Sequence, residues 1–130
     1  MEHRYKDERN KDFFDTCEFV RKEYFPEYIS VEDIVMQSIN RETKSFYLDA
    51  TSCAHIINNV RLGRLLKIKK ITRKLYFEIW KRYIHIKRKN ANLNLMECAR
   101  IISEQKAPQF YMSERHAVNL YYKLLKKNPR

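Results

Sequence analysis

Apolar residues recur along this chain at spacings of three and four, the period of helices that bury one face. Over Asp7 to Phe25 the recurrence brings Phe13, Phe14, Cys17, Val20, Tyr24 and Phe25 to one side and charged residues to the other. Pro26 closes this first predicted helix, because the residue before a proline is pushed out of the helical region. Residues 1–6 are polar enough to fray. Ser30 then precedes Val31, Glu32 and Asp33, a start that satisfies free amides and sets negative charge at the positive helix end, so a short helix to about Asn40 is expected. The polar stretch Asn40 to Lys44 breaks it. Ser45-Phe46-Tyr47-Leu48 reads as an extended link or one short strand. Asp49 caps the next helix, which carries Cys53, Ile56, Ile57 and Val60 and stops near Gly63. The longest pattern runs from about Lys70 to Arg88, with Ile71, Leu75, Ile79, Tyr83 and Ile86 on one side and Phe77 and Trp80 beside them. Helices over Leu95 to Gln105 and Glu114 to Lys126 complete the set.

The end of the chain restates its beginning. Phe46-Tyr47-Leu48-Asp49 and Phe110-Tyr111-Met112-Ser113 lie 64 positions apart, each preceded by a short helix and a polar break and followed by a helix. The expected fold is therefore mainly α: a compact bundle of five or six helices in one domain spanning 1–130, with two helix-link-helix units flanking a long basic helix. The two Phe-Tyr links either pair as a minimal two-stranded ribbon or wedge into the core.

Composition agrees with this class. One Gly and three Pro in 130 residues are too few for a fold of many tight turns, and 44% hydrophobic content is enough for a core. Charge adds something the periodicity does not show. Between Arg61 and Lys89 stand twelve Lys and Arg against one acid, Glu78, so this segment carries the net charge of +11 found for the whole chain. Cations gathered on one element approach a polyanion together, which favours phosphate binding over a diffuse basic surface. The candidate phosphate contacts are Arg64, Lys67, Lys69, Lys70, Arg73, Lys74, Lys81, Arg82, Lys87, Arg88 and Lys89, with Tyr76 and Tyr83 available to stack on a single strand.

A helix-turn-helix is the natural comparison for a small basic α protein, although the link before Glu114 is about eight residues, longer than the usual turn. On the two helices that follow the links, Asn58 and Asn59, and Arg115 and Asn119, are candidates for reading base edges. The competing reading is a solvated helix face balanced by the acidic residues of positions 1–60. Those sixty residues have a net charge of −4, too little to offset +11.

Catalytic signatures are sparse. His3, His55, His85 and His116 form no metal-ligand spacing, no Gly-rich phosphate loop occurs, and no His-x-x-Arg precedes a candidate nucleophilic Tyr. Cys17, Cys53 and Cys98 are widely spaced with apolar neighbours, which predicts buried free thiols in a reducing compartment. No enzyme, cofactor or metal is expected. The absence of a signal-like or membrane-length apolar run predicts a soluble, cytoplasmic protein.

Ala107-Pro108-Gln109-Phe110-Tyr111-Met112-Ser113-Glu114, with Glu97-Cys98-Ala99-Arg100 before it, resembles a pattern in small basic proteins of Bacteroidota genomes and their phages or mobile elements. The resemblance covers the last third of the chain and implies a setting rather than an activity. Those relatives have Arg after the Pro where this chain has Gln109, so no phosphate contact carries over there. The expected function is nucleic-acid binding, DNA before RNA, through phosphate contacts of the central basic helix, in regulation or in handling phage or mobile-element DNA. Two alternatives stay open: an RNA or single-strand binder, and an assembly or adaptor protein whose basic helix docks on an acidic partner. No membrane contact is expected.

Overall fold

Six helices make up the regular structure of the computed structural model, which describes residues 2–65 and 67–129 and, for 2–4, the backbone alone. They are α1 (Glu2–Tyr24), α2 (Val31–Ile39), α3 (Ala50–Arg61), α4 (Lys70–Lys89), α5 (Leu95–Ser103) and α6 (Glu114–Lys127). The chain is mainly α, and no strand occurs among the described residues. α1 begins at Glu2 and not near Asp7. The long charged side chains there are good helix formers, and neither Gly nor Pro interrupts them.

Local chemistry sets most of the other boundaries. Ser30 and Ser113 accept backbone N–H groups at the starts of α2 and α6, from Asp33 at 3.1 Å and His116 at 3.2 Å. Asp49 accepts the Ser52 N–H at 2.7 Å at the start of α3. At α5, Asn94 accepts from the Glu97 N–H at 2.8 Å while the Glu97 carboxylate accepts from the Asn94 N–H at 2.9 Å. Caps of this kind each contribute about 1 kcal/mol. α4 has no side-chain cap, and its first turn contains no acid.

The helices divide into two compact units of three. Ser45–Lys106 holds α3, α4 and α5; Glu2–Lys44 and the chain from Ala107 onward hold α1, α2 and α6. Within the first unit α3 packs on α4 and α5, and α4 also packs on α5. Within the second, α2 packs on α1 and α6, and α1 also meets α6. Each unit thus combines two consecutive helices of one half of the chain with the third helix of the other half. Along the chain α2 with α3 and α5 with α6 form the two helix-link-helix segments, and the basic helix α4 stands between them.

Within the two helix-link-helix segments the positions match at the 64-residue spacing, whereas α1 and α4 do not match: the buried Phe13 and Cys17 correspond to the exposed Phe77 and Lys81. The caps Ser30 and Asn94 correspond, as do Asp49 and Ser113, and the pairs Ile34 and Cys98, Phe46 and Phe110, Cys53 and Ala117, and Ile57 and Tyr121 are buried in both. The links do not form a ribbon. A single antiparallel bridge joins Thr43 to Ala107, three residues before the Phe-Tyr pairs, with the Thr43 N–H donating to the Ala107 carbonyl at 2.8 Å. Pro108 lacks the N–H a longer ladder needs, and Tyr47 and Tyr111 turn left-handed at φ 57° and 55°, which ends any extended run.

The core of the second unit includes Phe13, Cys17 and Val20 of α1, Val35 of α2 and Tyr121 of α6. The Tyr121 hydroxyl donates to Glu18 at 2.7 Å, so its polar end is satisfied inside the unit. Tyr24 and Phe25, counted with this face by periodicity, are exposed instead. They lie where α1 gives way to the turn before α2.

Candidate nucleic-acid interface

Charge follows the division into units. Ser45–Lys106 contains fourteen Lys and Arg against four Asp and Glu, a net charge of +10, whereas the rest of the chain has thirteen against twelve. Nearly the whole excess therefore belongs to the unit that contains α4.

Ile79 is fully buried and fixes the inner side of α4, with Leu75, Tyr83 and Ile86 half-buried beside it and the Trp80 and Tyr83 rings 5.5 Å apart. Successive helical residues turn by about 100°. This rotation sets Lys70, Lys74, Phe77, Lys81 and Arg88 in a stripe opposite Ile79, and all five are exposed. The stripe rises about 27 Å along the helix axis at 1.5 Å per residue. His85 is exposed at its margin.

Of the candidate phosphate contacts, Arg64, Lys67, Lys69, Lys70, Lys74, Lys81, Arg88 and Lys89 are exposed and make no side-chain hydrogen bond or ion pair among the described residues. The other three serve the fold. Arg82 donates to Glu78 at 2.9 Å, to the Gln105 side chain at 3.1 Å and to the Lys106 carbonyl at 2.7 Å, and its guanidinium lies 4.9 Å from the centre of the Phe46 ring. Arg73 donates to the carbonyls of Leu65 and Ile68, holding the turn that leads into α4. Lys87 donates to the carbonyls of Ala91 and Leu93 just beyond the end of α4. These partners are mostly backbone oxygens in turns, which a count of side-chain charges does not reveal.

The base-reading candidates separate. Asn58 and Asn59 are half-buried on α3, and Asn58 accepts from Arg61 at 2.7 Å. Arg115 and Asn119 are exposed, one turn apart, on α6 of the other unit. Tyr76 and Tyr83, expected to offer stacking surface, are half-buried. Phe77 is the ring left open, with 48% of its surface accessible. Hydropathy groups it with the core, but its place three residues after Lys74 and four before Lys81 marks the outer stripe.

The titratable groups in apolar surroundings are thiols. Burial pushes Cys17 and Cys53 up to about 12 and raises Cys98, so all three stay protonated and poorly nucleophilic near neutral pH. The backbone N–H of Ser52, followed by its hydroxyl, holds the Asp49 carboxyl below its ordinary value. Among the described residues no three His, Cys, Asp or Glu gather as a metal site, and no helix is long and apolar enough to cross a membrane. The His3 side chain lies outside the described residues. No protein-family model, curated protein or solved structure matches the chain.

Proposed function

We propose that this chain binds nucleic acid, with DNA the favoured ligand, through sequence-tolerant phosphate contacts along α4, in regulation or in handling phage or mobile-element DNA. The observation that carries this reading is the exposed stripe of Lys70, Lys74, Lys81 and Arg88, opposite the buried Ile79 and without intramolecular partners among the described residues. Solvated cations on one helix can meet a phosphate backbone without giving up contacts that hold the fold. The start of α4 supports the same reading. Lys69 and Lys70 stand at the positive end of the helix dipole with no acid in the first turn, an arrangement that a bound anion relieves.

If about six phosphates are engaged, the logarithm of affinity for duplex DNA falls with the logarithm of salt concentration at a slope of about −5. Fluorescence anisotropy with a labelled duplex measures this directly. Affinity independent of salt removes phosphate contact as the basis of binding. Recovery of a stable complex with an acidic protein after nuclease treatment, with no affinity for DNA or RNA, moves the assignment to the adaptor class.

A further inference from the structure

Three of the exposed cations of α4 stand on one line. Lys74, Lys81 and Arg88 are spaced at i, i+7 and i+14, so each lies two turns, or about 10.5 Å, beyond the one before. An exposed ring falls in each interval: Phe77 between Lys74 and Lys81, and His85 between Lys81 and Arg88. At about 100° per residue the two rings flank the line, each about 40° from Lys81 and on opposite sides of it. Neither ring makes a hydrogen bond, ion pair or ring contact among the described residues. The apolar face of the helix is supplied by Ile79 with Leu75 and Ile86 and does not need them. A single exposed aromatic is ordinary on any protein surface. A regular alternation of cation and open ring from Lys74 to Arg88 is a pattern that burial does not explain.

We infer that the ligand is an unpaired nucleic-acid strand running along α4, its phosphates on Lys74, Lys81 and Arg88 and its bases on the faces of Phe77 and His85. This rests on the phosphate-binding reading of α4 and names the form of nucleic acid. Along the helix axis each ring lies about 4.5 Å from one neighbouring cation and about 6 Å from the other, so a base on the ring keeps its own phosphate within reach of a long cationic side chain. A duplex can lay its backbone on such a line but hides the faces of its bases. The rings are about 12 Å apart along the axis, whereas stacked neighbours in a strand are about 3.4 Å apart, so the two bases they take are not stacked on each other. A strand without a partner can turn bases to either side of its backbone, and stacking on a Phe or His ring tolerates any base. The positive charge selects a polyanion, and the open rings select one with accessible π faces. All five residues belong to one helix, and His85 is a member that no count of Lys and Arg would single out.

The experiment compares an oligothymidylate with an abasic oligonucleotide of equal length, using the wild type, Phe77→Leu, His85→Gln and the double variant. Leu keeps apolar bulk and Gln keeps polarity at two exposed positions, and circular dichroism with thermal melting confirms that each variant is folded. The expected result is that each substitution weakens oligothymidylate binding about tenfold, the double variant loses both increments, and binding of the abasic strand does not change. An oligouridylate run in parallel separates RNA from DNA as the source of the strand, with the same losses expected on whichever binds more tightly. A loss in His85→Gln that is equal on the abasic strand assigns the imidazole to phosphate contact and overturns its stacking role. If folded variants bind both oligonucleotides as the wild type does, or the wild type binds the abasic strand equally well, stacking is overturned while salt-dependent phosphate contact stands. If no oligonucleotide or duplex binds even at low salt, the phosphate reading itself fails and takes this inference with it.

Discussion

Tyr47 and Tyr111, 64 positions apart, both adopt the left-handed backbone region, at φ 57° and 55°. A non-glycine residue there costs about 1–2 kcal/mol. That two tyrosines do so at the same step of two copies, each two residues before a capping Asp or Ser, shows that the links share a conformation as well as a composition. The expected consequence is an inverted substitution order. Tyr111→Gly destabilises less than Tyr111→Ala, by about 1 kcal/mol, because Gly enters this region freely and Ala does not. Urea unfolding of the two variants measures the difference; Ala equal to or better than Gly contradicts it.

Neighbouring cations on α4 have opposite duties. Arg82 satisfies Glu78, Gln105 and the Lys106 carbonyl, whereas Lys81 points away from the unit. Arg82→Gln is expected to lower unfolding free energy by about 2 kcal/mol, as befits lost hydrogen bonds from a charged, partly buried donor. Lys81→Gln changes it by less than about 0.5 kcal/mol. Equal stability of the two variants in thermal or urea unfolding would remove the distinction between the structural and the free cations.

Asp49 gives a pH signature. Its carboxyl is held below the ordinary value by the Ser52 N–H and hydroxyl, so the charged form stabilises the fold. A depressed folded pKa means that this contribution is full above the unfolded value of about 3.9 and is lost as pH falls through the lower folded value. Asp49→Ala is therefore expected to cost about 1 kcal/mol at pH 7 and less near pH 3. Asp49→Asn, which keeps an acceptor without the charge, gives a smaller loss at pH 7. Melting temperatures of the three proteins at both pH values test this, and a cost for Asp49→Ala that is the same at pH 7 and pH 3 contradicts it.

The helices were legible in the sequence because their signals are local. Ser30 and Asp49 announce their helices through side chains that reach three residues ahead, and the core residues of α3 keep a strict spacing. The Asn94 and Glu97 pair at the start of α5 carries the same kind of signal, which apolar periodicity alone does not register. Helix pairing was not legible. Nothing local to α2 states that it packs with α6, or to α3 that it packs with α4 and α5, since that information lies in matching buried volumes far apart in the chain. The site divided in the same way. The basic segment was plain, but Arg73, Arg82 and Lys87 could be separated from the free cations only once folding had brought the carbonyls of Leu65, Lys106 and Leu93 to them. Phe77 is not told apart from the core by hydropathy, which records that a ring is apolar and not which side of the helix it occupies.

The central claim is that the α4 stripe, and not net charge in general, makes the phosphate contacts. Its most direct test is the salt dependence of duplex DNA affinity for the wild type and for a variant with Lys70, Lys74, Lys81 and Arg88 all changed to Gln. Losing four contacts is expected to weaken binding and to flatten the log–log slope by about 3.6, from about −5 toward −1.4. A folded variant that keeps the wild-type slope contradicts the claim and places the contacts elsewhere on the chain.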